Sequence, residues 1–356
     1  MYPALAVLDR LTAEHTNVQV LWVGGESGME ADLVTNAGVD FVSIPAAGIH
    51  GVGLRRLPGN LGQLFRGLVA ARRVLRQFQP DILFFTGGYV AVPMALAGLR
   101  IPTLLYVPDI EPGLALKTLA LFANCIAVTA KDSEAFLPKN KKVTVTGYPV
   151  RHQLSSWKPE EAYRTLNLSP DHPTLLVTGG SLGSLTLNKA LVDILPELLV
   201  DMQVVHITGK LTWPQYEGVS KGLSPEHAAR YRSFPYLHAE MGAVFSIADL
   251  VISRAGASSI GEYPHFGIPA ILVPYPYAWR YQKVNADYLV RHRAAVMLND
   301  AELSIKMLPI VQELIKDTDR RKKMKSAMQA LAGEDAAESI GNLLFETAAS
   351  KGRTRN

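Results

Sequence analysis

Short apolar runs recur along this 356-residue chain, and most are separated by segments whose apolar residues fall three and four positions apart. The runs have strand length and the intervening segments have helical period, so the pattern predicts strands alternating with helices. In the first half the strands fall at residues 18–23, 40–44, 82–85, 103–106, 125–128 and 142–145. In the second half they fall at residues 174–178, 203–207, 232–234, 250–252, 270–273 and 295–298. Such alternation predicts an α/β chain of two doubly wound parallel sheets. The opening MYPALAVLDRLTAEH has no basic segment before its apolar residues and no small-residue cleavage site, so it reads as an amphipathic helix rather than a signal peptide. After GYPVRHQL comes the polar, Pro-bearing stretch SWKPEEAYRTLNLSPDHP, which reads as a linker. The expected domains are therefore residues 1–150 and 151–335, with residues 336–356 a helix and tail that return to the first domain.

One stretch departs from plain alternation: SRAGASSIGEYPHFGIPAILVPYPYAWRYQKVNA, residues 253–286. It follows an apolar run and reads as strand end, Gly-containing turn at Gly256, and helix start. Ala257, Ser258 and Ser259 are then expected at a helix N-terminus, where unpaired N–H groups and the helix dipole favour a phosphate. Glu262 follows one turn later, and a carboxylate there accepts both hydroxyls of a ribose. The ordered set predicts a nucleotide-diphosphate site. Two more glycine turns follow predicted strands: FFTGGYVAVP with Gly87 and Gly88, and LLVTGGSLGSLTLN with Gly179, Gly180 and Gly183. Glycines let a backbone turn sharply and approach a ligand, although GGSLG lacks the Lys of a P-loop and tight packing turns look the same. Ser181 is the expected ligand contact among these loops.

Composition narrows the class. Hydrophobic residues at 48% and charged residues at 19% are globular values, and no apolar run reaches the ~18–20 residues of a spanning helix. A lone Cys125 excludes an intramolecular disulfide and a cysteine metal cluster, which fits a reducing cytoplasm. The nine histidines show no HxxxH spacing on a predicted helix, so His50, His152 and His206 read as ordinary polar residues and no metal site is expected. Asp317-Thr318-Asp319 resembles a DxD pair but sits in a charged helical run, and reads as a solvated face. The net charge is only +4, but residues 41–80 contain no acid while carrying Arg55, Arg56, Arg66, Arg72, Arg73 and Arg76. On a helix through LGQLFRGLVAARRVLRQF, Leu61, Leu64, Phe65, Leu68 and Leu75 are expected to form the core stripe. Arg66, Arg73 and Arg76 line another face, interrupted by Val69. Aromatics are not interleaved with these arginines, which argues against nucleic acid.

The segments GGYVAVP, GYPVR, GGSLGSLTLN, RAGASSIGE, GIPAILVP and YQKVNA, in this order and spacing, resemble the MurG family of peptidoglycan glycosyltransferases over residues 1 to about 335. The resemblance implies a GT-B architecture, two Rossmann-like domains facing one another across a cleft. It implies transfer of N-acetylglucosamine from UDP-N-acetylglucosamine to the undecaprenyl-linked acceptor lipid I, giving lipid II, by a peripheral protein on the cytoplasmic face of the cell membrane. The nucleotide sugar is then a substrate, and no cofactor or essential metal is expected. A lipid acceptor makes Arg66, Arg73 and Arg76 the expected docking face for an anionic membrane surface. Position by position, Glu262 is expected on the ribose, and Ala257, Ser258 and Ser259, with Ile260 and Gly261 completing the segment, on the diphosphate and sugar. Ser181 and Arg151 are expected beside the diphosphate, Gln282 on the acetamido sugar, and Leu237 and His238 beside the uracil.

The chain also departs from the family pattern. HEQN becomes Tyr106-Val107-Pro108-Asp109, which makes Asp109 the one substitute for the family's catalytic base. Leu182 replaces the Gln of GGSQG, and Tyr281 replaces the first Gln of a Gln-Gln pair. The family's first strand and GGTGGH loop precede a PALA-type helix, whereas this sequence opens at Met1-Tyr2-Pro3-Ala4-Leu5-Ala6, and a start at an internal Met is expected. Two rivals stay open: another lipid glycosyltransferase of this architecture, such as a diacylglycerol galactosyltransferase, and a non-catalytic UDP-sugar-binding protein.

Overall fold

The computed structural model describes residues 1–26, 30–46, 57–277 and 281–350. The chain divides into two compact units, one of Met1–Pro149 with Glu334–Asn356 and one of Val150–Gly333.

In the first unit, β1 (Leu21–Gly25) and β2 (Asp40–Ile44) form a parallel pair. Strands β3 (Leu83–Phe85), β4 (Thr103–Val107), β5 (Cys125–Val128) and β6 (Lys142–Val145) form a parallel sheet in that order. The strands of this half thus fall into two ladders rather than one, and among the described residues β1 pairs only with β2 and β3 only with β4. β1 also starts later than its apolar pattern predicts. The ladder begins where Leu21 meets Asp40, so Val18 and Val20 precede it, and it runs on through Gly24 and Gly25.

Strand period places successive side chains of β4 on opposite faces. Leu104 and Tyr106, with Cys125 and Ala127, pack against Val7 of the first helix, Tyr2–Glu14, and against Ile340, Leu343 and Leu344 of the last, Ala336–Ala349. Leu105 and Val107, with Ile126 and Val128, face Ala71 and Leu75 of the helix Leu57–Phe78, Met94 of Ala91–Ala97, and Leu116 and Leu119 of Leu114–Phe122. The terminal helix is thereby built into the first unit. Its exposed ion pair, Arg10 to Glu338 at 3.0 Å, adds little beside that apolar contact.

The helix Leu57–Phe78 corrects the expected stripe. Gly67, Ala71 and Leu75, four residues apart, form its buried line, while Phe65 is 68% exposed and Val69 46%. Phe65 lies two residues, about 200° of helix, from Gly67, so it cannot share the buried face. It joins Val69, Arg66, Arg72, Arg73 and Arg76 on the solvent side. The side chains of residues 57–61, Leu61 among them, lie outside the described set, as do His50, Arg55 and Arg56.

The second unit holds one six-stranded parallel sheet in the order β12-β11-β10-β7-β8-β9. Its strands are β7 (Thr174–Thr178), β8 (Gln203–Ile207), β9 (Tyr231–Phe234), β10 (Leu250–Ser253), β11 (Ala270–Leu272) and β12 (Ala295–Met297). Leu175, Val177, Val204, Leu250 and Ile252 point into a cluster with Leu187 and Leu191 and with Met307, Val311 and Leu314 of the helix Leu303–Lys316. The chain winds outward from β7 to β9, returns, and winds the other way from β10 to β12. The loops after β7 and β10 are therefore neighbours at the point of reversal, where such sheets bind ligands.

Close helix contact in this unit depends on Gly242 of Met241–Ile247, where an added Cβ would stand 2.7 Å from Leu154 Cα and collide with the Leu154 carbonyl. Helix propensity favours Gly242→Ala by ~1 kcal/mol, but overpacking against immovable backbone costs about 1–3 kcal/mol. The variant should lower the midpoint of chemical unfolding, and an unchanged or higher midpoint would contradict the packing.

Candidate donor site in the second unit

After β7 the backbone turns through Gly180 (φ 86°) and Gly183 (φ 91°), a region that favours glycine, and Gly183 N–H closes the turn on Gly180 O at 3.0 Å. Ser184 then caps the helix Leu185–Asp193 through the Leu187 N–H. An added Cβ on Gly179 would stand 2.6 Å from Ser184 Cβ, so this glycine serves packing. Ser181 and Leu182 are left exposed at the tip.

After β10 the chain forms a short 3-10 turn, Ala257–Ile260, and then a separate five-residue helix, Glu262–Phe266. This corrects the expectation of one helix through Ala257 and Glu262. Gly261 adopts neither helical form, and the macrodipole of two such short pieces is small. What remains for an anion is local: the first N–H groups of a turn have no partner inside it. Ser259 is buried and spends its hydroxyl on Gly256 O at 2.6 Å, whereas Ser258 is exposed.

Glu262 stands at the start of the five-residue helix beside Arg151, itself the residue before the short helix His152–Ser155. Burial pushes the Glu262 carboxyl up to about 7, and the Arg151 charge pulls it back only in part. A carboxylate held near neutrality has unmet demand for hydrogen-bond donors, which two vicinal hydroxyls supply.

The structure adds a residue to which the sequence reading gave no role. Arg254, the first residue after β10, has a buried side chain and is paired with Asp300 at 2.6 Å. It donates to Ser184 Oγ at 2.7 Å, Thr186 Oγ1 at 2.8 Å and Val273 O at 3.2 Å, and lies 5.3 Å from the Tyr275 ring centroid. One guanidinium thus ties together the loops after β7, β10, β11 and β12. The signal for it was a charged residue directly after a buried strand. Tyr275 N–H in turn donates to Gln282 Oε1 at 2.8 Å, which leaves the Gln282 amide to donate elsewhere. Residues 278–280 lie outside the described set. Leu237 is half-buried after β9, His238 is exposed, and Tyr236 packs edge-on to His238 with Lys210 Nζ 5.1 Å from its ring centroid.

Other candidates lie in the first unit. Gly87 (φ 117°) and Gly88 (φ 90°) turn the chain after β3. Asp109 is half-buried in the loop after β4. Glu111 beside it is buried and committed to Lys117 at 2.8 Å. Tyr106 is buried with its hydroxyl against Thr129 Oγ1 at 2.8 Å, and burial raises its pKa. His152 is exposed, and Asp317 caps the helix Thr318–Gln329 through Arg320 N–H at 2.9 Å, so the DxD-like pair is a helix start. Among the described residues no group of three or more His, Cys, Asp or Glu side chains is placed to hold a metal ion.

Comparison with known proteins agrees with this layout. The profile of the glycosyltransferase family 28 C-terminal domain matches residues 174–340, and that of its N-terminal domain residues 1–128. The chain is 35% identical over 403 residues to the UDP-N-acetylglucosamine–N-acetylmuramyl-(pentapeptide) pyrophosphoryl-undecaprenol N-acetylglucosamine transferase of Roseiflexus sp. (strain RS-1), covering 97% of this chain and 91% of that protein. It is 34% identical to the protein of the same name from Desulforamulus reducens, covering 96% and 93%. The crystal structure of Acinetobacter baumannii MurG superposes with a TM-score of 0.74 at 26% identity, covering 97% of this chain and 95% of that one. With that identity maintained across both domains, the chain belongs to the MurG family within glycosyltransferase family 28.

Proposed function

We propose that this protein transfers N-acetylglucosamine from UDP-N-acetylglucosamine to the muramoyl 4-hydroxyl of lipid I, giving lipid II for peptidoglycan. The observation that carries the reading is the juxtaposition of the loops after β7 and β10 at the sheet reversal, joined by Arg254 to Ser184, together with the Glu262 carboxyl influenced by Arg151. The names of the relatives favour this acceptor over that of a diacylglycerol galactosyltransferase, and favour an enzyme over a binding protein.

The donor binds with its ribose hydroxyls on Glu262, its diphosphate on the backbone of Ala257 and Ser258 and on Ser181, and its uracil beside Leu237 and His238, while the expected backbone contact at Ser259 is taken by its own N–H bond to Gly256 O at 3.0 Å. The Gln282 amide reads the acetamido sugar. A base removes the proton of the acceptor hydroxyl, whose oxygen forms the new bond to the anomeric carbon from the face opposite the diphosphate. The anomeric C–O bond breaks and UDP leaves with the electron pair, inverting the centre. Arg151 and the local N–H groups meet the charge that develops on the leaving diphosphate, and this reading needs no metal. Asp109 is the base candidate carried by the described residues. Its chain position, after a strand at the carboxyl end of a parallel sheet, is where such groups are presented.

The helix Leu57–Phe78 supports a reading of membrane attachment. Phe65 and Val69 offer apolar surface between Arg66, Arg72, Arg73 and Arg76, the composition of a face that enters an anionic interface. No helix among the described residues is long and apolar enough to cross a membrane.

Glu262→Ala should weaken UDP binding by about 1–3 kcal/mol, the range for a charge-assisted bond. Calorimetric titration with UDP, UMP and GDP checks this, and equal affinity for UDP and GDP, or no effect of the substitution, would defeat the site. The pH dependence has a definite sign. Only the ionised carboxylate accepts both hydroxyls, so UDP affinity should fall as pH drops through about 7, and Glu262→Gln should remove that dependence. Because the folded pKa is raised, the stability contribution is full below the unfolded value, about 4.3, and is lost as pH rises through about 7. Without ligand, Glu262→Gln should therefore melt higher than the parent at pH 8, with the gap closing toward pH 4.

Replacing Arg66, Arg73 and Arg76 with Gln should reduce sedimentation with anionic vesicles and leave UDP affinity unchanged. Added salt should act in the same direction. Undiminished sedimentation of the triple variant would mark the face as merely solvated.

A further inference from the structure

Behind the 179–184 loop lies a second turn, residues 208–212, which follows β8. The two turns meet glycine to glycine. Gly183 and Gly209 both have φ 91°, and a Cβ on Gly183 would stand 3.2 Å from Gly209 Cα and collide with Thr208 O and Thr212 Oγ1. Lys210 N–H donates to Ser181 O at 3.1 Å, so the position of the 208–212 turn sets that of the Ser181 main chain.

A buried polar chain holds this turn. Tyr231 Oη lies 2.8 Å from His206 Nδ1, and His206 Nε2 lies 3.1 Å from Asn188 Oδ1. Asn188 Nδ2 donates to Thr208 O at 2.8 Å and to Thr212 Oγ1 at 3.1 Å. His206, Asn188 and Thr208 are fully buried, and Thr212 and Tyr231 nearly so. The direction of donation can be worked out from one end. The Thr208 carbonyl can only accept, so the Asn188 amide nitrogen must face it and Oδ1 must face the imidazole. His206 therefore carries its proton on Nε2, and its bare Nδ1 accepts from the Tyr231 hydroxyl. Burial pushes the imidazole down to about 3, which keeps it neutral throughout the working range.

We propose that His206 is a positioning residue for donor binding: as the neutral Nε2–H tautomer it fixes Asn188, which fixes the 208–212 turn, which holds the Ser181 main chain where the donor diphosphate meets it. The binding arm of this inference rests on the donor site proposed above, while the loop arm does not. The chain has donor and acceptor in strict alternation, and leucine at position 206 removes one of each. Asn188 Oδ1 is then left buried without its donor, and the Tyr231 hydroxyl loses its acceptor and keeps only Ser233.

The test compares His206→Leu, His206→Gln and Val204→Ala, the last a cavity beside Tyr231 in the same buried strand that removes no hydrogen-bonding group of the polar chain. His206→Leu should raise the UDP dissociation constant and the donor KM by ~10-fold, the size expected for losing one buried polar contact, with the acceptor KM unmoved. It should also speed amide hydrogen exchange at Lys210. His206→Gln, which can donate toward Asn188, should recover part of both effects. Val204→Ala should lower thermal stability and leave UDP binding and Lys210 exchange as in the parent. Nitrogen NMR of the parent should show a single neutral imidazole protonated at Nε2. If His206→Leu leaves Lys210 exchange unchanged, or if Val204→Ala loosens UDP binding as much, the proposal is overturned. Should the parent itself fail to bind UDP, the donor reading falls, and Lys210 exchange still decides whether His206 holds the loop.

Discussion

A parallel sheet allows no tight hairpins, so every strand must be followed by a crossover, and all the strand ends of one sense gather along one edge. In the second unit that constraint has one special position. Between β7 and β10 the winding reverses, the crossovers diverge to opposite faces, and the backbone beyond the two strand ends is left open. The glycine turn after β7 and the RAGASSIGE segment after β10 are distant in sequence and become neighbours only because of this reversal. Arg254 then secures the arrangement with hydrogen bonds and an ion pair that reach the loops after all four adjacent strands.

The site is thus a set of loops with little regular structure, supported from below by buried polar groups. Two buried systems act there in different ways. Glu262 is a half-buried carboxyl whose desolvation is only partly offset by Arg151, so its environment leaves it capacity to accept hydrogen bonds. The chain from Tyr231 through His206 to Asn188 is internally satisfied, so it specifies geometry and offers nothing to a ligand. A buried group with partners rigidifies, and one short of partners binds.

Much of the fold was legible because buried parallel strands leave an unambiguous trace, a short apolar run between helical segments. Twelve such runs were readable, and twelve strands are present among the described residues, β1 shifted toward its C-terminal end by its pairing with β2. The helix Leu57–Phe78 was legible as a helix but not in its facing. Phe65 and Leu75 are equally apolar in sequence, and what buries one and exposes the other is Gly67, which lets the helix approach Pro45 and turns Phe65 outward.

The sequence by itself determined the strands and the glycine turns and singled out Glu262, because each is a local pattern of residue type and spacing, whereas Arg151 and Gln282 were implied only by the family resemblance. It also carried the family resemblance, since that too is order and spacing along the chain. The tertiary structure alone decided the split of the RAGASSIGE segment into a 3-10 turn and a five-residue helix, the reach of Arg254, and the burial of His206. These depend on partners brought from 18 to 70 residues away by the strand order, as Arg254 reaches Ser184 and Thr186 and His206 reaches Asn188 and Tyr231. A histidine in a strand looks the same whether solvent or a buried amide faces it, and only the packing of β8 between β7 and β9 makes the difference.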